Sequence, residues 1–230
     1  MRPIRVILFD LDGTTADTLC GITAAINRAL SACGLPTHTE EGVRRFVNYG
    51  TSRFVEESLP ADRREDTALR ALITERYLAA YADTYVETRA YPGLPELLAR
   101  LSVHTPLAIN TNKQHEFAQP LAERLYVPHT FFAVEGFRAD RPGKPDPTVP
   151  LDILRRASER AGEELHPQDC LYIGDSDVDV ATARNAGMRP VSVSWGYRSY
   201  EFLRGLGDQP IARTVEELEH ILMESGVELS

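Results

Sequence analysis

An apolar run, Ile4 to Phe9, interrupted only by Arg5, ends abruptly in Asp10-Leu11-Asp12-Gly13-Thr14. The run reads as a short buried strand, so two carboxylates leave a sheet together at its carboxyl end. That is the edge at which open α/β sheets bind ligands. Gly13 lets the backbone turn tightly enough for both carboxyl groups to approach one small volume. Like charges so close need a bound cation, a shared proton or a lysine to be tolerated, and each of these would serve chemistry. From this stretch alone, a strand closed by an ordinary Asp-Gly turn stays equally open.

At 230 residues the chain can bury a full core, as one large domain or as a domain carrying a smaller insert. The formal charge of -9 and pI near 5.2 argue against nucleic acid or an anionic membrane as the main partner and favour a small ligand. No apolar run approaches a membrane span and no signal-peptide pattern precedes the first strand, so a soluble, cytoplasmic protein is expected, monomer or homodimer. Cys20, Cys33 and Cys170 are too few and scattered for a disulfide framework or a zinc site and read as core thiols. Of the 25 basic residues only Lys113 and Lys144 are lysines. A compact ammonium differs from a planar guanidinium, and a tight anionic pocket can require it.

From Asp17 to Thr88 the pattern is helical throughout. Leu19, Ile22, Ala25, Ile26, Ala29 and Leu30 form a stripe, and amphipathic stretches follow over Thr39–Tyr49, Ser52–Leu59 and Arg64–Thr88. Residues 16–89 are therefore expected to form an all-helical unit inserted into a core made of residues 1–15 and 90–230. After Tyr91-Pro92-Gly93 strands and helices alternate, with strands expected over Pro106–Asn110, Phe131–Val134, Cys170–Ile173 and Pro190–Ser194. Such alternation predicts an α/β fold with a parallel sheet covered on both faces.

The polar residues fall at informative places. Asp10 and Asp12, Thr111, and Asp175 with Asp179 stand at or just beyond the carboxyl ends of separate strands, which share one edge of a parallel sheet. Asp10, Asp175 and a backbone carbonyl near Asp12 would offer the hard oxygen ligands that Mg²⁺ takes. Lys144 would keep Asp10 ionised, and Thr111 with the amides of the Asp12-Gly13 turn could donate to phosphate oxygens. The set describes a phosphoryl pocket with Asp10 as nucleophile and Asp12 as general acid and base.

These residues resemble the haloacid dehalogenase superfamily, in particular its phosphoglycolate phosphatase-like branch, over essentially the whole chain. Asp10-Leu11-Asp12-Gly13-Thr14 looks like the first motif of that family, Thr111 within Asn110-Thr111-Asn112-Lys113 like the second, and Lys144 within Gly143-Lys144-Pro145-Asp146-Pro147 like the third. Gly174-Asp175-Ser176-Asp177-Val178-Asp179 looks like the fourth. The resemblance implies a Rossmann-like core of strand order 5-4-1-2-3, an aspartyl-phosphate intermediate, Mg²⁺, and a helical insert that closes over the site as a cap. Its implied site comprises Asp10 and Asp12 as catalytic groups, Thr111, Asn112, Lys144 and Gly13 around phosphate, and Asp10, Asp12 and Asp175 around metal, with Asp179 behind them.

Asp12 separates this chain from the dehalogenases, which lack an acid there, and the lysine-free insert separates it from phosphonate hydrolases that use a cap lysine. A small phosphomonoester is the expected substrate, be it phosphoglycolate-like, a sugar phosphate or a nucleotide. A phosphomutase, or an idle member that binds a phosphorylated ligand or a protein, remains the alternative. Thr15-Ala16 departs from the more apolar pair usual in this branch. Arg53, in the central turn of the insert, is carried as an anion contact, and Trp195-Gly196-Tyr197 either borders the site or packs in the core. His115-Glu116 has no second histidine at helical spacing and is read as a solvated helix start.

Overall fold

The computed structural model describes residues 3–229. Strand β1 (Val6–Phe9) is buried along its whole length and lies at the centre of the sheet. Its side chains alternate between two cores, as a period of two requires. Ile7 and Phe9 pack with Leu97, Leu98, Leu218 and Leu222, whereas Val6 and Leu8 face Ile153, Leu154 and Ala183. Each such fully buried side chain contributes about 1.5–3 kcal/mol of transfer free energy. The centre of the sheet is thus held from both sides.

Around β1 stand β4 (Leu107–Gln114), β5 (Ala133–Phe137), β6 (Cys170–Gly174), β7 (Arg189–Val193) and β8 (Ile211–Ala212) in the order β5-β4-β1-β6-β7-β8. Every pairing is parallel. Counted over the five longer strands the order is that expected, read from the opposite edge, and β8 adds a sixth strand outside β7. With two residues, β8 has no periodicity to reveal it. Helices α5 (Leu94–Leu101) and α10 (Val215–Glu224) cover one face; α7 (Thr148–Ala161) and α8 (Asp177–Asn185) cover the other. Helix α6 (His115–Leu125) places Leu121 and Ala122 against Leu11 and Ile109, and the short α9 (Tyr200–Arg204) precedes β8.

Between residues 17 and 89 the chain is helical, in α1 (Leu19–Ser31), α2 (Glu40–Arg44), α3 (Thr51–Ser58) and α4 (Thr67–Thr84). Thr39 caps α2 by accepting from the Gly42 amide, and Asp66 caps α4 by accepting from that of Leu69. Ile22, Ile26 and Leu30 of α1 meet Val43, Phe54, Ile73 and Tyr81 in a core of their own. The block is entered and left through two strands that sequence reading passed over: β2 (Ala16–Asp17) pairs antiparallel with β3 (Arg89–Ala90). One thiol also departs from expectation, since Cys170 is buried while Cys20 is exposed on α1. Among the described residues no helix is long and apolar enough to cross a membrane.

Candidate active site

The carboxyl ends of β1, β4 and β6 bring the expected residues to one crevice, roofed by α1, α3 and α4. The turn after β1 is tight, with the Ala16 amide donating to the Leu11 carbonyl at 2.8 Å. Gly13 has φ +82°, and a Cβ there would lie 2.5 Å from Asp175 Oδ2. Only glycine lets this turn press against the end of β6.

Asp10 is buried and accepts from Lys144 Nζ at 2.7 Å; the same ammonium donates to Asp179 Oδ1 at 2.6 Å. Asp175, wholly buried, accepts from the Tyr197 amide at 2.6 Å and from the Thr14 hydroxyl at 3.4 Å. Asp179 also closes the start of α8: its carboxylate accepts from the Ser176 amide and hydroxyl, while Ser176 Oγ accepts from the Asp179 amide. Asp179 thus both closes the start of α8 and holds Lys144.

Carboxylate oxygens of Asp10, Asp175 and Asp179 lie within 4.8 Å of one another, all buried, with a single ammonium among them. Burial pushes the Asp10 carboxyl up to about 7; Lys144 opposes this, and Asp179 and Asp12 reinforce it. Burial likewise pushes Asp175 well above the carboxylate range, with Asp179 and Asp10 adding to the effect. A hard divalent cation among these oxygens would relieve the excess negative charge, and an all-oxygen donor set suits Mg²⁺. The residues present therefore fit the metal that the resemblance implies.

Asp12 is expected to meet the metal through a backbone carbonyl, which leaves its side chain free for another partner. Its carboxylate turns away from the three acids to Lys113, whose Nζ lies 2.7 and 3.0 Å from its two oxygens. Burial works against the charge on Lys113, yet the Asp12 carboxylate holds its pKa above the usual lysine value. Lys113 is the residue that sequence reasoning missed. Its rarity marked it, but its partner could not be seen until β4 lay beside β1.

Thr111 is buried beside this pair and accepts from the Lys113 amide at 3.2 Å, which leaves its hydroxyl proton free to donate. Two expected phosphate contacts are otherwise engaged. The Gly13 amide donates to the Ala16 carbonyl at 2.9 Å, so the fixed contribution of Gly13 is conformational. Asn112 accepts from the Lys144 amide at 2.8 Å and donates to the carbonyls of Lys144 and Asn48, tying the Lys144 loop to the helical block. Arg53 is not brought to the crevice. It is exposed and stacks on the Tyr49 ring at 4.0 Å, because its position on α3 lies off the face that Phe54 turns inward.

Trp195-Gly196-Tyr197 borders the site. A Cβ on Gly196 would lie 2.2 Å from the Gly13 carbonyl oxygen and 2.5 Å from Asp175 Cβ, so the loop after β7 touches the turn after β1 backbone to backbone. Next to it, Arg198 donates to the carbonyls of Arg44, Arg45 and Val47, at 2.7, 3.4 and 3.3 Å. Tyr49 donates to Asp177 from the same segment of the helical block. The block is therefore docked on the sheet's carboxyl edge, closing a cavity with about 590 Å³ of empty space, part of it open to solvent.

A parallel α/β sheet with buried acids and lysines gathered at the carboxyl edge of its strands is the arrangement of an α/β enzyme. The model of the haloacid dehalogenase-like hydrolases matches residues 7–193, and the chain belongs to that family. Within it the chain is similar to phosphoglycolate phosphatase 1 of Pseudomonas aeruginosa, 32% identical over 84% of this chain and 70% of that one. It is 36% identical to the phosphoglycolate phosphatase of Mesorhizobium japonicum, over 85% and 84% of the two chains. A haloacid dehalogenase-like family hydrolase from Streptococcus pneumoniae shares the fold with a TM-score of 0.78 at 26% identity, over 96% of this chain and 98% of that one. A solved protein from Lactobacillus delbrueckii subsp. bulgaricus reaches a TM-score of 0.84 at 28% identity, over 96% and 99%.

Proposed function

We propose that this hydrolase is a Mg²⁺-dependent phosphatase of small phosphomonoesters, acting through an aspartyl-phosphate on Asp10. The observation that carries the reading is the pairing of two carboxylates in different states of engagement at one cavity. Asp10 is fixed by Lys144 at 2.7 Å beside Asp175 and Asp179, while Asp12, two residues on, is held apart on Lys113. Such a division gives one acid the nucleophile's role and leaves the other to move protons.

In this mechanism an Asp10 oxygen attacks phosphorus as the bond to the leaving oxygen breaks, and Asp12, having taken up the proton that a phosphomonoester monoanion brings, passes it to the leaving oxygen. Asp12, now ionised, then removes a proton from water; the water oxygen attacks phosphorus and Asp10 is released as carboxylate. Asp10, Asp175 and the carbonyl near Asp12, with Asp179 behind, would hold Mg²⁺, which would supply charge neutralisation at the phosphoryl oxygens. Lys144 orients Asp10, and the Thr111 hydroxyl and the Asp12 amide donate to the transferring group. Asn112 and Gly13 act on it indirectly, by fixing the Lys144 loop and the turn. The helical block, residues 16–89, serves as a cap that excludes water from the phosphoryl enzyme.

Asp10→Asn should abolish Mg²⁺-dependent release of phosphate from an aryl phosphate with the circular dichroism spectrum unchanged. Asp12→Ala should slow both steps and allow a phosphorylated Asp10 peptide to be trapped by mass spectrometry. Undiminished turnover by the Asp10→Asn protein would end the mechanism.

A further inference from the structure

The wall of the cavity that faces the leaving group carries information that the catalytic residues do not. On the side of the helical block and α6 it is made by Ile22, Phe54, Tyr77, Leu78, Tyr81 and Phe117. The block is rich in arginine, yet none of its arginines lines this cavity. Arg44 donates to the Gly196 carbonyl at 2.9 Å, Arg53 stacks on Tyr49, Arg70 pairs with Glu56 at 2.9 Å and Arg76 donates to the Ala32 carbonyl at 2.7 Å. Both lysines on the wall are already matched: Lys144 bridges Asp10 and Asp179, and Lys113 holds both oxygens of Asp12 with its other side over the Tyr81 ring, 4.5 Å from the centroid. A carboxylate on the leaving group would enter an aromatic chamber with no uncommitted cation, a costly placement for a charge.

Two wall residues carry a buried side-chain polar atom with no partner, Tyr81 at its hydroxyl and Asn48 at Nδ2, and of the two Asn48 is also held in an unusual backbone conformation. Asn48 lines the cavity in the left-handed region, at φ 86°, a conformation uncommon outside glycine. Its carbonyl is fixed by Asn112 at 3.2 Å, and its side-chain Nδ2 is buried with no hydrogen-bond partner. A buried donor left unmatched in this way is costly unless a ligand acceptor meets it.

We infer that the cavity selects phosphomonoesters whose leaving group is uncharged, with an apolar face for the aromatic wall and an acceptor for Asn48, and that it disfavours phosphoglycolate itself. The inference rests on the phosphatase reading and narrows its substrate class. It separates this chain from the substrate named for its relatives on the ground of charge alone.

The test compares phosphoglycolate, its neutral amide and benzyl phosphate at fixed Mg²⁺. The amide matches phosphoglycolate in size and shape but carries no charge on its leaving group and exchanges one acceptor oxygen for an NH2 donor, and kcat/KM for the amide and for benzyl phosphate should exceed that for phosphoglycolate at least about tenfold. Asn48→Gly keeps the backbone conformation and deletes the donor. It should lower kcat/KM for the amide relative to that for benzyl phosphate by about fivefold, the worth of one neutral hydrogen bond. Phosphoglycolate turned over as well as its amide would overturn the inference while leaving the phosphatase reading intact. No turnover of any of the three would overturn both.

Discussion

The Lys113 ammonium bridges both carboxylate oxygens of Asp12, at 2.7 and 3.0 Å, and lies over the ring of Tyr81 on α4. One side chain thus joins a carboxylate at the sheet's edge to the floor of the helical block. The pair is nearly dry, with side-chain exposures of 5% and 16%. Removing either partner leaves an uncompensated charge, whereas removing both leaves none.

Lys113→Met should therefore destabilise the protein by about 3 kcal/mol, and Asp12→Asn should restore part of that loss in the double variant. Chemical denaturation of the four proteins gives the coupling directly; additive losses would show that the two residues stabilise independently.

Gly196→Ala tests the backbone contact behind Asp175. The added methyl would meet a carbonyl oxygen at 2.2 Å and Asp175 Cβ at 2.5 Å, neither of which is the far end of a flexible side chain. The expected outcome is a stability loss of roughly 1–3 kcal/mol together with weakened Mg²⁺ binding, read by calorimetry. Retention of wild-type metal affinity would place Asp175 beyond the influence of this loop.

Arg198 grips three successive stretches of backbone at the carboxyl end of α2 and is itself buried. Arg198→Ala should accelerate hydrogen exchange over residues 45–50 and raise KM more than it lowers kcat, because the docked block completes the cavity. Arg198→Lys should not restore exchange protection, since a single ammonium cannot reproduce the guanidinium fork.

Glu135, in the middle of β5, is surrounded by Arg138, Arg141 and Arg156. Burial pushes its carboxyl up, but hydrogen bonds from Arg141 and Arg156 outweigh it and hold the pKa below the usual value. A lowered folded-state pKa contributes stability above the unfolded value that is lost as pH falls through the folded one. Glu135→Gln should cost about 1 kcal/mol at neutral pH and make stability less dependent on pH below about 4. Equal acid sensitivity in the two proteins would refute this assignment.

The sheet and its chemical edge were legible because their signals are long or compositional. β1 and β6 are continuous apolar runs that end in acids, and Lys144 is one of two lysines in the chain. What escaped is short or relational. β2, β3 and β8 are two residues each, below the length at which alternation can be detected. Lys113 was noticed for its rarity, yet its meaning depends on Asp12, 101 positions away. Gly196 looks like any loop glycine until the Gly13 turn is seen against it. Arg53 was placed by segment, and the helix phase that turns Phe54 inward carries Arg53 outward.

Ala16 faces Ala90 and Asp17 faces Arg89 across the two-stranded ribbon, so the polypeptide departs from the sheet and rejoins it at one spot. Any segment whose own ends lie about one strand spacing apart, near 5 Å, fits the same socket without disturbing the register of β1 with β4 and β6. Residues 18–88 are in this sense an exchangeable cassette. Grafting a different one should change the compounds admitted, provided the contacts that Tyr81 makes to Lys113 and Asn48 makes to Asn112 are rebuilt, and the ribbon is where such a graft should be cut.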